Sequence, residues 1–413
     1  MTIPAVRSST IAFIFITVVL DVLALGIMIP VLPKLVEQFM GGNTASAAEV
    51  YGLFGTAWAL MQFIFSPILG ALSDRFGRRP VILFSCLGLG LDYVFMALAP
   101  SLAWLFVGRV ISGIASANFS TAFAYIADVT PPADRAARFG MVGAAFGIGF
   151  VIGPALGGVL GSVEPRLPFW VAGGLCLVNA LWGVFVLPES LPLDKRSAFS
   201  WKKANPIGAL KLLRSKAQLL SLAGIHFLTQ LAHGVLPSVT VLYMGYRYGW
   251  SERDVGFVLA GVGVCSLIVQ GGLVRPVVAR LGEERALMVG LAFGTLGLAI
   301  YGLAPSGWGF LIGVPVMALW GFTGPSLQGL MSRRVSATEQ GQLQGANASV
   351  ASLAALFGPG LFTLSFAYFI DSSHHMLGFK FPGAPFVIAA LLLLAALVWS
   401  VRLRANSMKL SAI

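Results

Sequence analysis

Charge is what this 413-residue chain has least of. Asp, Glu, Lys and Arg together supply 10% of it, against about 25% in soluble domains. So few charges cannot cover a water-facing surface of this size, which excludes an ordinary soluble globule and leaves lipid as the solvent. Cysteine is almost absent as well. Cys86, Cys176 and Cys265 stand far apart without metal-ligand spacing, which argues against a disulfide framework and against a zinc site. No phosphate-cradling glycine loop and no hydrolase or kinase constellation is present, so the sequence reads neither as an enzyme nor as an ATP-driven pump. No cofactor is expected.

What the chain does have is apolar length. Residues of apolar type make up 57%, gathered in windows of about twenty, each enough to cross roughly 30 Å of hydrocarbon. We read twelve spans: 10–32, 49–72, 81–99, 102–127, 138–161, 168–187, 219–245, 254–279, 285–304, 308–331, 341–370 and 382–402. The first carries Asp21 mid-span and is not followed by a small-residue cleavage site, so it reads as a retained helix rather than a signal peptide. The loops between spans are too short for an extramembrane domain.

The net charge of +11 is explained by orientation and requires no nucleic acid. With both termini placed in the cytoplasm, 21 of the 27 Lys and Arg residues fall on the cytoplasmic side. Only Lys34, Arg166, Arg247, Arg253 and Lys380 fall outside, and Arg109 lies within a span. Such a bias in short loops is the positive-inside pattern. It predicts a multi-pass protein of the cytoplasmic (inner) membrane.

The longest polar stretch, 188–217, divides the chain into two six-helix halves, 1–187 and 218–413. The halves repeat at one offset of 205. Leu98-Ala99-Pro100-Ser101 recurs as Leu303-Ala304-Pro305-Ser306, Gly153-Pro154 as Gly358-Pro359, Gly77 as Gly282 and Gly140 as Gly345. The expected fold is therefore all-α, with twelve transmembrane helices in two pseudo-symmetric six-helix bundles.

Three motifs carry chemistry. Between spans two and three, Gly70-Ala71-Leu72-Ser73-Asp74-Arg75-Phe76-Gly77-Arg78-Arg79 offers glycines for close approach and a tight turn. Its charges can pair across a helix junction, with Asp128 at the end of span four as a further partner. A merely solvated basic loop is the bland alternative. Span four carries Arg109, which costs several kcal/mol in hydrocarbon unless paired or hydrated. Ser112, Gly113, Ser116 and Ser120 lie on the same helical face. Span five carries Gly149, Gly153-Pro154 and Gly157-Gly158, whose spacing lets backbones touch while the proline frees a carbonyl. Gly-rich packing alone can produce such a string.

These motifs resemble those of the major facilitator transporters, and the ten-residue loop matches that family's signature in full. The resemblance narrows to the tetracycline/proton antiporters of Gram-negative bacteria. It rests on Asp21, Gly26 and Pro30-Val31-Leu32-Pro33; Ala59-Leu60-Met61-Gln62; the loop through Pro80-Val81; and Leu91-Asp92-Tyr93. Later matches are Gly324-Pro325, Leu327-Gln328-Gly329, Gly341 and Leu343-Gln344-Gly345. It implies substrate held near the midplane between the halves. It implies Asp21, Asp92 and Arg109 in proton coupling, and Gly70, Asp74, Arg75, Gly77, Arg78 and Asp128 as a gate. Gln62, Ser116, Asn118 and Gln328 are expected at the substrate, and the span-five string is the family's antiporter motif. Two positions differ: Ser266 stands where those antiporters have a histidine, and Gly294 where they have an aspartate.

A buried carboxylate whose exposure alternates between two aqueous sides can load a proton on one and release it on the other. Asp21 and Asp92 are the acids placed mid-membrane, with a static pairing to Arg109 as the bland alternative. His226, Gln230 and His233 share one face of span seven by their spacing. They are expected to line the substrate path and to replace the missing titratable groups, although a lone histidine more often braces a helix by a hydrogen bond. The leading expectation is a proton-driven, monomeric exporter of a tetracycline-like amphipathic drug or metabolite, with protons, cargo and lipid as its only partners. A nutrient importer or uniporter is the second reading, and a receptor or scaffold the third.

Overall fold

A computed structural model describes residues 8–116, 119–130, 135–197, 212–213, 217–336, 339–371 and 380–411. Within it the chain runs through α1 (Ser8–Met28), α2 (Leu32–Phe39), α3 (Thr44–Phe76), α4 (Arg78–Ala97), α5 (Leu102–Ala115), α6 (Phe119–Val129), α7 (Arg135–Val163) and α8 (Leu167–Val186). It continues through α9 (Ala217–His233), α10 (Val235–Tyr248), α11 (Glu252–Ile268), α12 (Val274–Leu281), α13 (Glu283–Leu303), α14 (Gly307–Ala318), α15 (Thr323–Ser332), α16 (Gln340–Ile370) and α17 (Ala384–Ser411). There is no strand among the described residues. An apolar chain in lipid must satisfy each backbone N–H and C=O internally, and the helix does so within one segment.

Ten of these helical stretches, some spanning two successive helices, are long and apolar enough to cross a membrane. Leu102–Ala115 and Gly147–Val163 are shorter apolar helices at the fourth and fifth expected spans. Most helices outrun the expected span: α3 reaches Phe76 and α17 reaches Ser411. Span one is the clearest difference. It was expected to end at 32, but a turn at Pro30 separates α1 from α2, and the apolar run continues to Phe39. Prolines 30 and 33 each lack a backbone N–H to continue the ladder.

Glycine marks three sharp helix junctions. Gly77 (φ 105°), Gly249 (φ 69°) and Gly282 (φ 76°) take positive φ before α4, after α10 and before α13, a region side-chain-bearing residues disfavour. The repeated strings hold equivalent places in the element order. The two Leu-Ala-Pro-Ser strings immediately precede α5 and α14, and Ser306 caps α14 by accepting from the Gly309 N–H.

Two compact units form: Met1–Phe39, Ala57–Asn205 and Ser251–Ala260 in the first; Met40–Thr56, Pro206–Trp250 and Gly261–Ile413 in the second. In the first, α1 packs on α7 and α8, and α4 on α8 and α5. Its core joins Ile14, Val18, Val22, Ile82, Cys86, Tyr125 and Ala180. In the second, α13 packs on α17 and α14, and α9 on α16 and α17. There the Tyr301 ring stacks on Phe310 at 4.0 Å, and the Tyr243 hydroxyl donates to the Tyr301 carbonyl at 2.7 Å. Large side chains such as Phe84 (73% exposed), Phe185 and Trp308 (79% each) point outward. In water that arrangement would be an aggregation liability; against lipid it is the expected surface.

Candidate functional site

In the first unit α4 and α5 bring one acid and one base into an apolar interior. Asp92 is 2% exposed and Arg109 9%. The polar groups that act on the Asp92 carboxylate are the Arg109 guanidinium and the Ser112 hydroxyl. The fit depends on Gly108. A Cβ there would press into Met96 and lie 3.2 Å from Asp92 Oδ1. Arg109 also lies over the Trp58 ring, 5.6 Å from its centroid, a cation–π contact that strengthens when desolvated. Gly113 lets α5 reach α3, since a Cβ there would collide with Trp58 and Met61.

Asp21 is buried on α1 at 7% exposure, and Tyr93 and Cys176 lie within electrostatic reach of both Asp21 and Asp92. The three expected coupling residues therefore share one region of the first unit. Ser116 is buried at the end of α5 and Gln62 half-buried on α3. Asn118 lies outside the described residues.

The span-five glycines act as a packing seam. A Cβ on Gly149 would meet Val22 at 2.6 Å, one on Gly153 would meet Gly26 Cα at 2.7 Å, and one on Gly157 would overlap the Ile27 carbonyl. Gly158 sits equally tightly on Glu252 and Gly256 at the start of α11, with the Pro154 carbonyl against Gly256. The seam thus grips α1 at the residues just after Asp21.

The signature loop closes into a charge network at the α3–α4 junction. Arg78 pairs with Asp74 and, at 3.1 Å, with Asp128, and its Nη1 donates to Ser73 Oγ at 2.6 Å. Arg78 is 9% exposed. Ser190 Oγ donates to Asp128, and the Ser197 N–H to the Asp74 carbonyl. Arg75 is exposed and lies over Phe76. Gly70 differs from expectation: it lies inside α3 with open space around it rather than at a close approach. Gly77 does make the turn. From Arg78 to Asp92 is fourteen residues of α4, about 21 Å of helix, so one helix carries both groups.

In the second unit, His226, Gln230 and His233 are all at least partly accessible, His233 most of all. The Asn347 backbone hydrogen-bonds His226. The Asn347 side-chain amide donates to Gln328 Oε1 at 2.9 Å. The His233 ring packs at a tilt against Trp320. Ser266 is half-buried on α11. Gly294 is enclosed: a Cβ there would lie 2.8 Å from Leu393 and from Trp320.

Sequence reasoning missed Glu189, which accepts hydrogen bonds from the Arg78 and Arg79 backbone N–H groups. It also missed Asn347 and Trp320. None stands within a motif, and only the Glu189 carboxylate, just beyond the last apolar residue of span six, offered a local signal.

The fold and these residues have relatives. A profile of the Major Facilitator Superfamily matches residues 14–359. The class C tetracycline resistance protein of Escherichia coli is 38% identical over 354 residues, 85% of this chain and 88% of that one. Human Hippocampus abundant transcript-like protein 1 is 30% identical over 401 residues, 92% of this chain and 77% of that one. Among solved structures, the human organic anion transporter MFSD10 (TETRAN) superposes with a TM-score of 0.70 at 25% identity, over 95% of this chain and 99% of that one. The chain belongs to the Major Facilitator Superfamily and resembles its tetracycline resistance proteins, and it is a multi-pass membrane transporter rather than an enzyme.

Proposed function

We propose that this transporter exports a tetracycline-like amphipathic drug or related metabolite across the cytoplasmic membrane in exchange for protons. It works as a monomer of two six-helix halves, 1–187 and 218–413, with both termini in the cytoplasm. The observation that carries the reading is Asp92. A carboxyl group 2% exposed in an apolar interior, with Arg109 and Ser112 as its polar neighbours, is costly as structure alone. It becomes useful if it gains and loses a proton each cycle. Arg109 then holds the charge balance when the proton leaves, and Asp21 is the reserve carboxylate.

The Arg78 network is the gate: its pairs form when one face of the transporter is closed and part when it opens. Gln62, Ser116, Asn118 and Gln328 contact cargo together with the His226–Gln230–His233 face. The tight seam of Gly149, Gly153, Pro154, Gly157 and Gly158 against α1 links motion of α7 to the segment bearing Asp21. The relatives' tetracycline resistance supports the cargo class.

Inside-out membrane vesicles carrying the transporter, given an imposed pH gradient with an acidic lumen, should accumulate tetracycline, and collapsing the gradient should release it. Uptake indifferent to the gradient would favour a uniporter instead.

A further inference from the structure

The gating pair Arg78–Asp128 has a counterpart at the offset of 205 that relates the sequence repeats. Glu283 pairs with Arg333 at 3.0 Å, as Arg78 pairs with Asp128 at 3.1 Å. The helix junctions match. Gly77 and Gly282, both at positive φ, close the preceding helices through N–H bonds to the Ser73 and Val278 carbonyls and open α4 and α13. The signs are exchanged, and the second pair is more open, its Arg333 side chain 75% exposed: the first unit puts the cation at the helix start and the anion fifty residues on, the second the reverse.

That exchange has a physical consequence. The amino terminus of a helix carries partial positive charge and free N–H groups, so it favours anions and disfavours cations. Glu283 and Glu284 open α13 with two acids. Arg78 and Arg79 open α4 with two bases, no acid in the first turn and no side-chain cap from Gly77. The missing anion comes from elsewhere. Glu189 accepts from the Arg78 N–H at 2.8 Å and the Arg79 N–H at 3.3 Å.

Glu189 is itself fixed. It accepts from the Leu191 N–H at 3.0 Å, with Arg196 at 3.8 Å behind it. Its neighbours tie the segment to α6: the Pro188 carbonyl accepts from Tyr125, and Ser190 donates to Asp128. The bare Cα of Gly77 makes room, because a Cβ there would lie 2.7 Å from the Glu189 carboxyl carbon.

We infer that Glu189 is a positioning residue for the Arg78–Asp128 pair, supplying the negative charge that lets an arginine sit at the start of α4. The segment after α8 is thereby part of the gate. The inference rests on reading that pair as a gate.

The test is hydrogen–deuterium exchange of the full chain in lipid nanodiscs, read on peptides covering 77–84, alongside tetracycline uptake into inside-out vesicles. Glu189→Gln should speed exchange at the start of α4 about tenfold, the scale of one lost hydrogen bond to a charged acceptor. It should lower kcat for tetracycline while leaving KM unchanged. Arg78→Glu/Asp128→Arg copies the polarity of the second unit and removes the need for Glu189. In that background Glu189→Gln should leave exchange unchanged or slow it. Glu189→Asp, with a shorter reach, should give an intermediate acceleration and serves if the Gln variant does not fold. The exchange arm decides whether or not tetracycline is the cargo. Unchanged exchange in the single variant, or equal acceleration in the reversed background, overturns the inference. Arg78→Ala with undiminished kcat would defeat the gate reading itself. A slowed Arg78→Ala beside an unmoved Glu189→Gln would defeat only the positioning role.

Discussion

The imidazole of His233 packs against the indole of Trp320, ring centroids 5.5 Å apart and tilted by 49°. The same indole occupies the space that a side chain at position 294 would need. Where the resemblance to tetracycline antiporters places an aspartate, this chain has an aromatic ring and, beyond it, a histidine.

Restoring that aspartate should therefore fail. Gly294→Asp must displace Trp320 or Leu393, and overpacking of this kind costs about 1–3 kcal/mol before the buried acid is counted. Thermal unfolding followed by size-exclusion chromatography should show a lower melting temperature and no gain in transport. A stable variant with faster proton-driven uptake would mean that the site was open all along.

The histidines are expected to have taken over the titratable role in the second unit. Replacing His226 and His233 together by Gln keeps polarity and removes titration. The pH dependence of tetracycline transport should flatten, because no group on that face can then change its charge near neutral pH. An unaltered profile would leave coupling wholly to Asp21 and Asp92.

Arg78→Cys should slow turnover several-fold while leaving substrate affinity within about twofold. Breaking a half-buried ion pair costs more than the roughly 0–1 kcal/mol of an exposed one, and the cost falls on the closed state alone. Parallel measurement of tetracycline binding and of initial transport rate separates the two effects. Weaker binding at an unchanged rate would move Arg78 into the cargo path.

How much of this was legible in the sequence follows the reach of each interaction. The twelve spans were, because lipid demands contiguous apolar helix. The turn at Gly77 and the Asp74–Arg78 pair were, because glycine and charges four residues apart act locally. Asp92 and Arg109 stood out because charge within a span is rare. Glu189 did not, since its partner Arg78 lies 111 residues away. The partner of the span-five glycines, Gly26 on α1, was visible as a residue but not as a contact. The expected end of span one, at 32, overlooks the turn at Pro30 because an apolar run on both sides hides it. The enclosure of Gly294 by Trp320 is a packing fact that spacing does not encode.

The central claim is that Asp92 carries the coupled proton. Asp92→Asn preserves size and polarity, so the protein should fold, bind tetracycline within a few-fold of the unsubstituted affinity and exchange it down its own gradient. Uptake into inside-out vesicles with an acidic lumen measures the uphill step directly. The account predicts that tetracycline merely equilibrates across the membrane in the Asn variant, while the unsubstituted protein concentrates it in the lumen. An Asn variant that still concentrates tetracycline at the normal rate would contradict the account, and the same defect in Asp21→Asn alone would move the proton to α1.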